Sequence, residues 1–221
     1  LLTDEPLDAA ALGLIVERPE MGASVTFSGT KVPGLAVYDG YNGGSYPFVG
    51  CKELTLYVPV TAIEDYQEAW AEMFAADTTK KGDITLATWG EEPVVASIPD
   101  FKVYVDGTTA SSESPKYLEF HVTEFDNATK SGKVVLKYVG YNSAKDTLTI
   151  PETVTTKVIG RTWTFSVAGI GANALYTYYM TGSSLQYRFP IVVFPASLEY
   201  ISDMGCWGLE NVTEIDLSNT K

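Results

Sequence analysis

Apolar and polar positions alternate along Tyr117-Leu-Glu-Phe-His-Val122 and again along Val134-Val-Leu-Lys-Tyr-Val139, with the polar run Asp126-Asn-Ala-Thr-Lys-Ser-Gly132 between them. A period of two sends successive side chains to opposite faces of a strand, so the pattern predicts two paired strands joined by a turn. Shorter apolar runs at Val25-Thr-Phe27, at Leu35-Ala-Val-Tyr38 and near 83–88, 93–97 and 101–105 read as further strands, bounded by Gly and Pro. One segment changes period. Thr61-Ala-Ile-Glu64 has the spacing of a capping box, after which Ile63, Tyr66, Trp70 and Met73 or Phe74 recur along one helical face. Glu64, Asp65, Glu68 and Glu72 fall on the opposite face, which would meet water as a terminal cap requires. The stretch up to Val16 fits a short helix or a strand, since periodicity cannot arbitrate at that length. Residues 39–45 and 106–115 read as loops, and Asp77-Thr-Thr-Lys-Lys-Gly82 as a junction.

A second layer of pattern is repetition. The stretch from Val193 to Leu217 reads as one turn of a repeat: Val212-x-x-Ile215-x-Leu217 approximates the Leu-x-x-Leu-x-Leu-x-x-Asn frame, with Asn219 one place early. In that frame alternate strand residues point into a stacked core. Ile170-Gly-Ala-Asn-Ala-Leu175 aligns with Ile201-Ser-Asp-Met-Gly-Cys206, and Ile150-Pro-Glu-Thr-Val154 with Phe194-Pro-Ala-Ser-Leu198. The offsets are 31 (201 − 170) and 44 (194 − 150), an irregular period unless loops are inserted on one face. A third partial copy, Phe48-Val-Gly-Cys51-Lys-Glu-Leu54, matches Cys206-Trp-Gly-Leu209-Glu-Asn-Val212.

These motifs resemble a known family. Phe48-x-Gly-Cys-x-x-Leu54 leading into Leu56-Tyr-Val-Pro59, the Ile-Pro-x-x-Val turn and the Ile-Gly-x-x-Ala-Leu segment look like the BspA-type leucine-rich-repeat surface proteins common in Bacteroidetes. The resemblance covers residues 46–76 and about 133–221, and is closest over Leu56–Trp70. It implies a β-rich α+β fold: leucine-rich-repeat solenoid segments, a capping helix and a β-hairpin region between them. The division that follows is 1–76 as the end of one repeat module with its capping helix at about 60–76, 77–115 as linker and strands, and 116–221 as the start of a second module. The chain begins without Met and ends within a repeat, so a fragment of a longer, processed protein is expected.

Composition narrows the function classes. At 45% hydrophobic and 19% charged, the 221 residues are those of an ordinary globular chain long enough for one or two cores. A net charge of −13 repels phosphate backbones and anionic lipid, which excludes nucleic acid as an expected partner. The longest apolar stretch, Ala9–Val16, is far short of the roughly 20 residues needed to cross a bilayer, and its acidic flanks do not suit a signal peptide. Cys51 and Cys206 hold equivalent repeat positions, which suits two unpaired core thiols better than a disulfide.

Candidate chemistry is sparse. The single His121 lies within an alternating strand, and one His with two distant Cys makes no zinc spacing. No phosphate loop, Gly-x-Ser-x-Gly elbow or His-Glu-x-x-His occurs. Asp39–Gly44 offers oxygen ligands without the spacing or the closing Glu of a calcium loop and reads as a turn. No cofactor and no enzymatic activity are expected. Aromatics are the remaining lead: 14 Tyr and 4 Trp, with Tyr176, Tyr178 and Tyr179 as candidate contact residues, weighed against tyrosines that merely cover the solenoid edge. Asn127-Ala-Thr129 and Asn211-Val-Thr213 fit the N-glycosylation pattern, which needs a eukaryotic secretory route. The resemblance implies instead O-glycosylation at Thr78 and Thr147, within Asp77-Thr78-Thr79 and Asp146-Thr147-Leu148.

The expected function is therefore that of a non-enzymatic protein of the bacterial cell surface or outer membrane, lipid-anchored by resemblance, which binds a protein partner or mediates adhesion through an extended surface. Two alternatives stand beside it. A carbohydrate-binding accessory of a glycan-uptake system would show aromatic faces exposed in a row, and a structural subunit of an outer-membrane assembly would copurify with membrane proteins.

Overall fold

The computed structural model describes residues 24–35, 37, 45–141, 143, 146–175, 189–207, 209, 212–218 and 220. It separates into two compact units, one formed by Leu1–Pro93 with Ile159–Arg161 and the other by Val94–Val158 with Thr162–Lys221. The division falls inside the segment read from sequence as linker and strands.

Unit one is a parallel three-stranded sheet packed on helix. β1 (Ser24–Thr26), β2 (Leu54–Pro59) and β3 (Ile84–Trp89) lie side by side in that order, with Val25, Leu56 and Leu86 aligned across the sheet. Leu54, Leu56 and Val58 alternate into the core while Tyr57 points out, the arrangement a period of two dictates. Parallel neighbours need a crossover, and here it is helical. A 3-10 turn at Val60–Ala62 leads into α1 (Ile63–Ala69), α2 (Ala71–Ala75) and α3 (Thr78–Lys81).

The helical face expected from sequence is the one buried: Tyr66, Trp70 and Met73 are inaccessible, and Glu68 and Glu72 face water. The capping box is not formed, because the 3-10 turn moves the helix start to Ile63 and leaves Ala62 as an N-cap without a side-chain acceptor. Asp77 caps α3 instead, its carboxylate accepting from the Thr79 N–H at 2.8 Å, so the expected junction contains a helical turn. Gly82 ends that turn at φ 84°, where a Cβ would lie 2.1 Å from the Phe48 carbonyl oxygen; glycine alone fits.

Unit two is built on the expected hairpin. β4 (Phe101–Tyr104), β5 (Tyr117–Asp126) and β6 (Ser131–Val139) pair antiparallel in sequence, and β6 then pairs in parallel with β9 (Arg161–Ile170). β11 (Tyr200–Ile201) continues the sheet beyond β9, while β8 (Thr153–Val158) also pairs with β9 and approaches β4, so the six-stranded sheet curls until it nearly closes. Its interior is filled by Leu118, Phe120, Val134, Leu136, Trp163, Phe165 and Val167. A smaller parallel sheet, ordered β12 (Glu214–Asp216), β10 (Ile191–Val193), β7 (Thr147–Thr149), shares that core through Leu148, Ile150, Val192 and Phe194.

This architecture corrects the fold class expected from the resemblance. Strand makes up 40% and helix 11% of the described residues, arranged as a curled six-stranded sheet and two short parallel sheets rather than a leucine-rich-repeat solenoid with helices. The physical reason lies in the motif itself. Alternate apolar positions are the mark of any half-buried strand, whatever the fold around it, and in the Val212-x-x-Ile215-x-Leu217 frame only Val212 packs against the core while Ile215 and Leu217 stand half exposed. Nor do residues 93–97 form a strand. Val95 is held there by the Asn127 side chain, which accepts from its N–H at 2.7 Å and donates to its carbonyl at 3.0 Å, as a neighbouring strand would. The expected strand at Leu35–Tyr38 and the segment up to Val16 lie wholly or partly outside the described residues.

Candidate functional site

Three places on unit two carry polar or aromatic groups in unusual density. The first is on the outer face of the curled sheet. Alternation along β5 sends Leu118 and Phe120 inward and Glu119 and His121 outward, and β6 adds Lys137. Asp100, just before β4, accepts from Lys137 Nζ at 2.6 Å and lies 2.7 Å from His121 Nδ1, while Lys137 also reaches Glu119 at 3.0 Å. The hydrogen bond from Lys137, and then that from His121, holds the Asp100 carboxyl below the usual carboxylate range. Lys137 is pushed up in turn by Asp100 and then Glu119.

A histidine beside a carboxylate could hold a proton for transfer, but it needs a nucleophile in reach and a site that excludes water. Here the His121 side chain is more than half exposed and its partner is the Asp100–Lys137 pair, so the cluster is an ion-pair network in screening solvent. One consequence is testable. A carboxylate with a depressed folded pKa contributes stability above its unfolded pKa and loses it as pH falls through the folded value. Asp100→Asn should therefore separate modestly from the parent between pH 5 and 7 and converge with it only on the far acid side, below the depressed folded pKa of Asp100; urea unfolding at a series of pH values would show it.

The second place is a row of tyrosines on β4, β5 and β6. Tyr104 and Tyr117 have ring centroids 6.0 Å apart, and Tyr117 and Tyr138 6.3 Å. This is the geometry a carbohydrate platform would begin from, yet the planes are tilted by 59° and 49°. Lys102 Nζ stands 4.1 Å above the Tyr117 ring, and the ring lies directly over Gly140. With one face of the central tyrosine against backbone and a cation above the ring, the row covers the sheet and offers no flat stacking surface.

The third place is the far end of the two parallel ladders. Tyr200 and Ile201 of β11, Met204 and Trp207 in the turn that follows, and Ile215 and Leu217 at β12 are all large, apolar and exposed. Ile201, Ser202, Met204, Gly205, Cys206 and Trp207 line a shallow groove of about 440 Å³. Among the described residues no strand pairs with the outer side of β11 or of β12. Cys206 faces this groove as a free thiol, pushed up by burial, and Cys51 in unit one is free and pushed up by the same cause, so neither carries appreciable thiolate at neutral pH.

The residues singled out from sequence fall as follows. Tyr176, Tyr178 and Tyr179 lie outside the described residues, as do Asn211 and the Asp39–Gly44 loop. Thr78 and Thr147 are exposed, at the start of α3 and in β7, and the adjacent Asp77 and Asp146 are engaged with the Thr79 N–H and with Ser143. The Asn127 amide of the first N-glycosylation pattern is committed to Val95. Among the described residues no three His, Cys, Asp or Glu side chains gather as a metal site, and no helix is long and apolar enough to cross a membrane. The exposure of the apolar residues Tyr200, Ile201, Met204, Trp207, Ile215 and Leu217 was not legible: alternation marks such positions as strand-like, while which strand ends a sheet is a property of topology. No family model, no curated protein and no solved structure matches the chain.

Proposed function

We propose that this chain is a non-enzymatic binding module of the bacterial cell surface or outer membrane, and that it takes a protein partner. The observation that carries the reading is the concentration of exposed apolar side chains at the ends of the two ladders. Of the thirteen large apolar residues exposed among the described residues, six fall between Tyr200 and Leu217. Single exposed apolar residues are ordinary, but several together beside strand edges that no described strand covers mark a surface suited to another polypeptide. The placement at a bacterial surface draws on the short motifs of residues 46–76 and 133–221 that resemble surface proteins. The glycan alternative has less support, because the tyrosine row that could have served it has no open central ring.

The test is retention of partners from an outer-membrane fraction by the parent chain and by an Ile201→Lys, Trp207→Ala variant with an unchanged melting curve. A protein held by the parent and lost by the variant is the expected result. Equal retention by both would overturn the assignment of this face, and binding to a glycan array in place of protein would replace the reading.

A further inference from the structure

The smaller parallel sheet has a regular register, which makes its open edge readable position by position. Leu148 of β7, Val192 of β10 and Ile215 of β12 lie side by side, flanked by Thr147, Ile191 and Glu214 on one side and Thr149, Val193 and Asp216 on the other. Leu148 is 1% exposed and Val192 0%, each of them part of the core that β10 shares, whereas Ile215 is 48% exposed. The Glu214 N–H is directed to the Pro190 carbonyl at 3.3 Å and the Asp216 carbonyl accepts from the Phe194 N–H at 3.2 Å. Alternation then turns the N–H and C=O of Ile215 toward the open side. Among the described residues no strand pairs with this side of β12, and a strand edge of this kind is a template for another strand.

The side chains state what strand it would take. Along β12, alternation puts Glu214 and Asp216 on one face and Ile215 on the other, with the apolar Leu217 just past the strand's end. Among the described residues from Phe189 onward, every charged side chain is acidic: Glu199, Asp203, Glu214 and Asp216. Glu199 is matched by Lys133, while hydrogen bonding from Ser218, its side chain first and then its N–H, holds the Asp216 carboxyl below the usual carboxylate range. We infer that the edge of β12 binds an extended cationic peptide segment by strand addition, with Lys or Arg set against Glu214 and Asp216 and β-branched apolar residues set against Ile215 and Leu217. This deepens the proposed function and rests on it for the identity of the partner as protein. A second copy of the chain is a poor occupant, since each copy carries −13 and would bring like charge to an acidic edge. An anionic membrane is disfavoured for the same reason.

The experiment uses the full chain and a labelled eight-residue peptide alternating lysine with valine, measured by fluorescence anisotropy at low salt. Two control peptides carry glutamate for lysine, or N-methyl groups at alternate backbone nitrogens, which preserve side chains but remove strand pairing. The lysine peptide should bind at least about tenfold more tightly than either control. The Ile215→Lys variant, with an exposed replacement that leaves the core untouched, should lose about the same factor. Equal binding of the lysine and N-methylated peptides would overturn strand addition in favour of mere charge attraction. No binding, or concentration-dependent self-association that Ile215→Lys abolishes, would overturn the cationic occupant. A membrane-fraction partner that Ile201→Lys, Trp207→Ala loses but Ile215→Lys retains would leave the proposed function standing and sink this inference alone.

Discussion

Replacement of Trp70 by alanine is expected to destabilise unit one by about 3–5 kcal/mol, the range for truncating a buried large aromatic. Trp70 is the hub of an aromatic cluster: Tyr66 meets it edge-on at 4.9 Å, Phe27 at 5.5 Å, and Phe48 and Phe74 lie within 6.5 Å. Its indole N–H donates to the Pro33 carbonyl at 3.0 Å and so ties the 31–35 segment to the helix. Alanine leaves a cavity among four rings and also removes the donor from that carbonyl, worth about 1 kcal/mol more. Set against a total of about 5–15 kcal/mol for a small domain, the loss should leave unit one partly unfolded well below the transition of the parent. Trp70→Phe should fall between the two, and Glu72→Ala, on the exposed face of α2, should stay within about 0.5 kcal/mol of the parent. Urea unfolding followed by near-ultraviolet circular dichroism would order the three. A Trp70→Ala loss no larger than that of Glu72→Ala would mean that the cluster is not the core of this unit.

That helix illustrates what the pattern of residues does and does not convey. The spacing of Tyr66, Trp70 and Met73 is a local property, and the burial of all three follows from it. The helix start is also local, yet the Thr61–Glu64 spacing misplaced its cap because a 3-10 turn and a capping box compete for the same residues. The β5–β6 hairpin was legible for the same reason as the helix: its two halves are close in sequence and alternate cleanly.

Long-range pairing divides differently. The internal alignment of Ile170 with Ile201 coincides with a lateral strand pair, and that of Ile150 with Phe194 places two buried residues next to each other across β7 and β10, where the Ile150 N–H donates to the Val193 carbonyl at 3.0 Å. Self-similarity therefore marked neighbours. It did not reveal that β6, from the hairpin, joins β9 and that the combined sheet curls upon itself, since nothing in a repeat frame encodes a parallel pairing to a strand outside it. The open edges suffer from the same gap. Ile215 and Val192 are equivalent in pattern and opposite in burial, because exposure depends on whether a further strand lies beside them.

In unit two the largest effect is expected at Trp163, and two substitutions there should behave unlike each other. Trp163 is fully buried, stacked on Phe165 at 6.2 Å with planes 10° apart and met edge-on by Phe125 at 5.8 Å. Among the described residues its buried indole N–H has no acceptor, a donor whose desolvation is then uncompensated at about 1–3 kcal/mol. Trp163→Ala removes the ring from the middle of the curled sheet and should lose about 3–5 kcal/mol. Trp163→Phe also shrinks the side chain, but it deletes the unmatched donor, so the packing loss and the polar gain oppose each other and the net change should stay within about 1 kcal/mol. Denaturant unfolding of both variants separates the two terms. A phenylalanine variant as weak as the alanine one would show that the indole N–H has a bound acceptor, an ordered water among them, and that this position is a polar anchor of the sheet as well as a packing one.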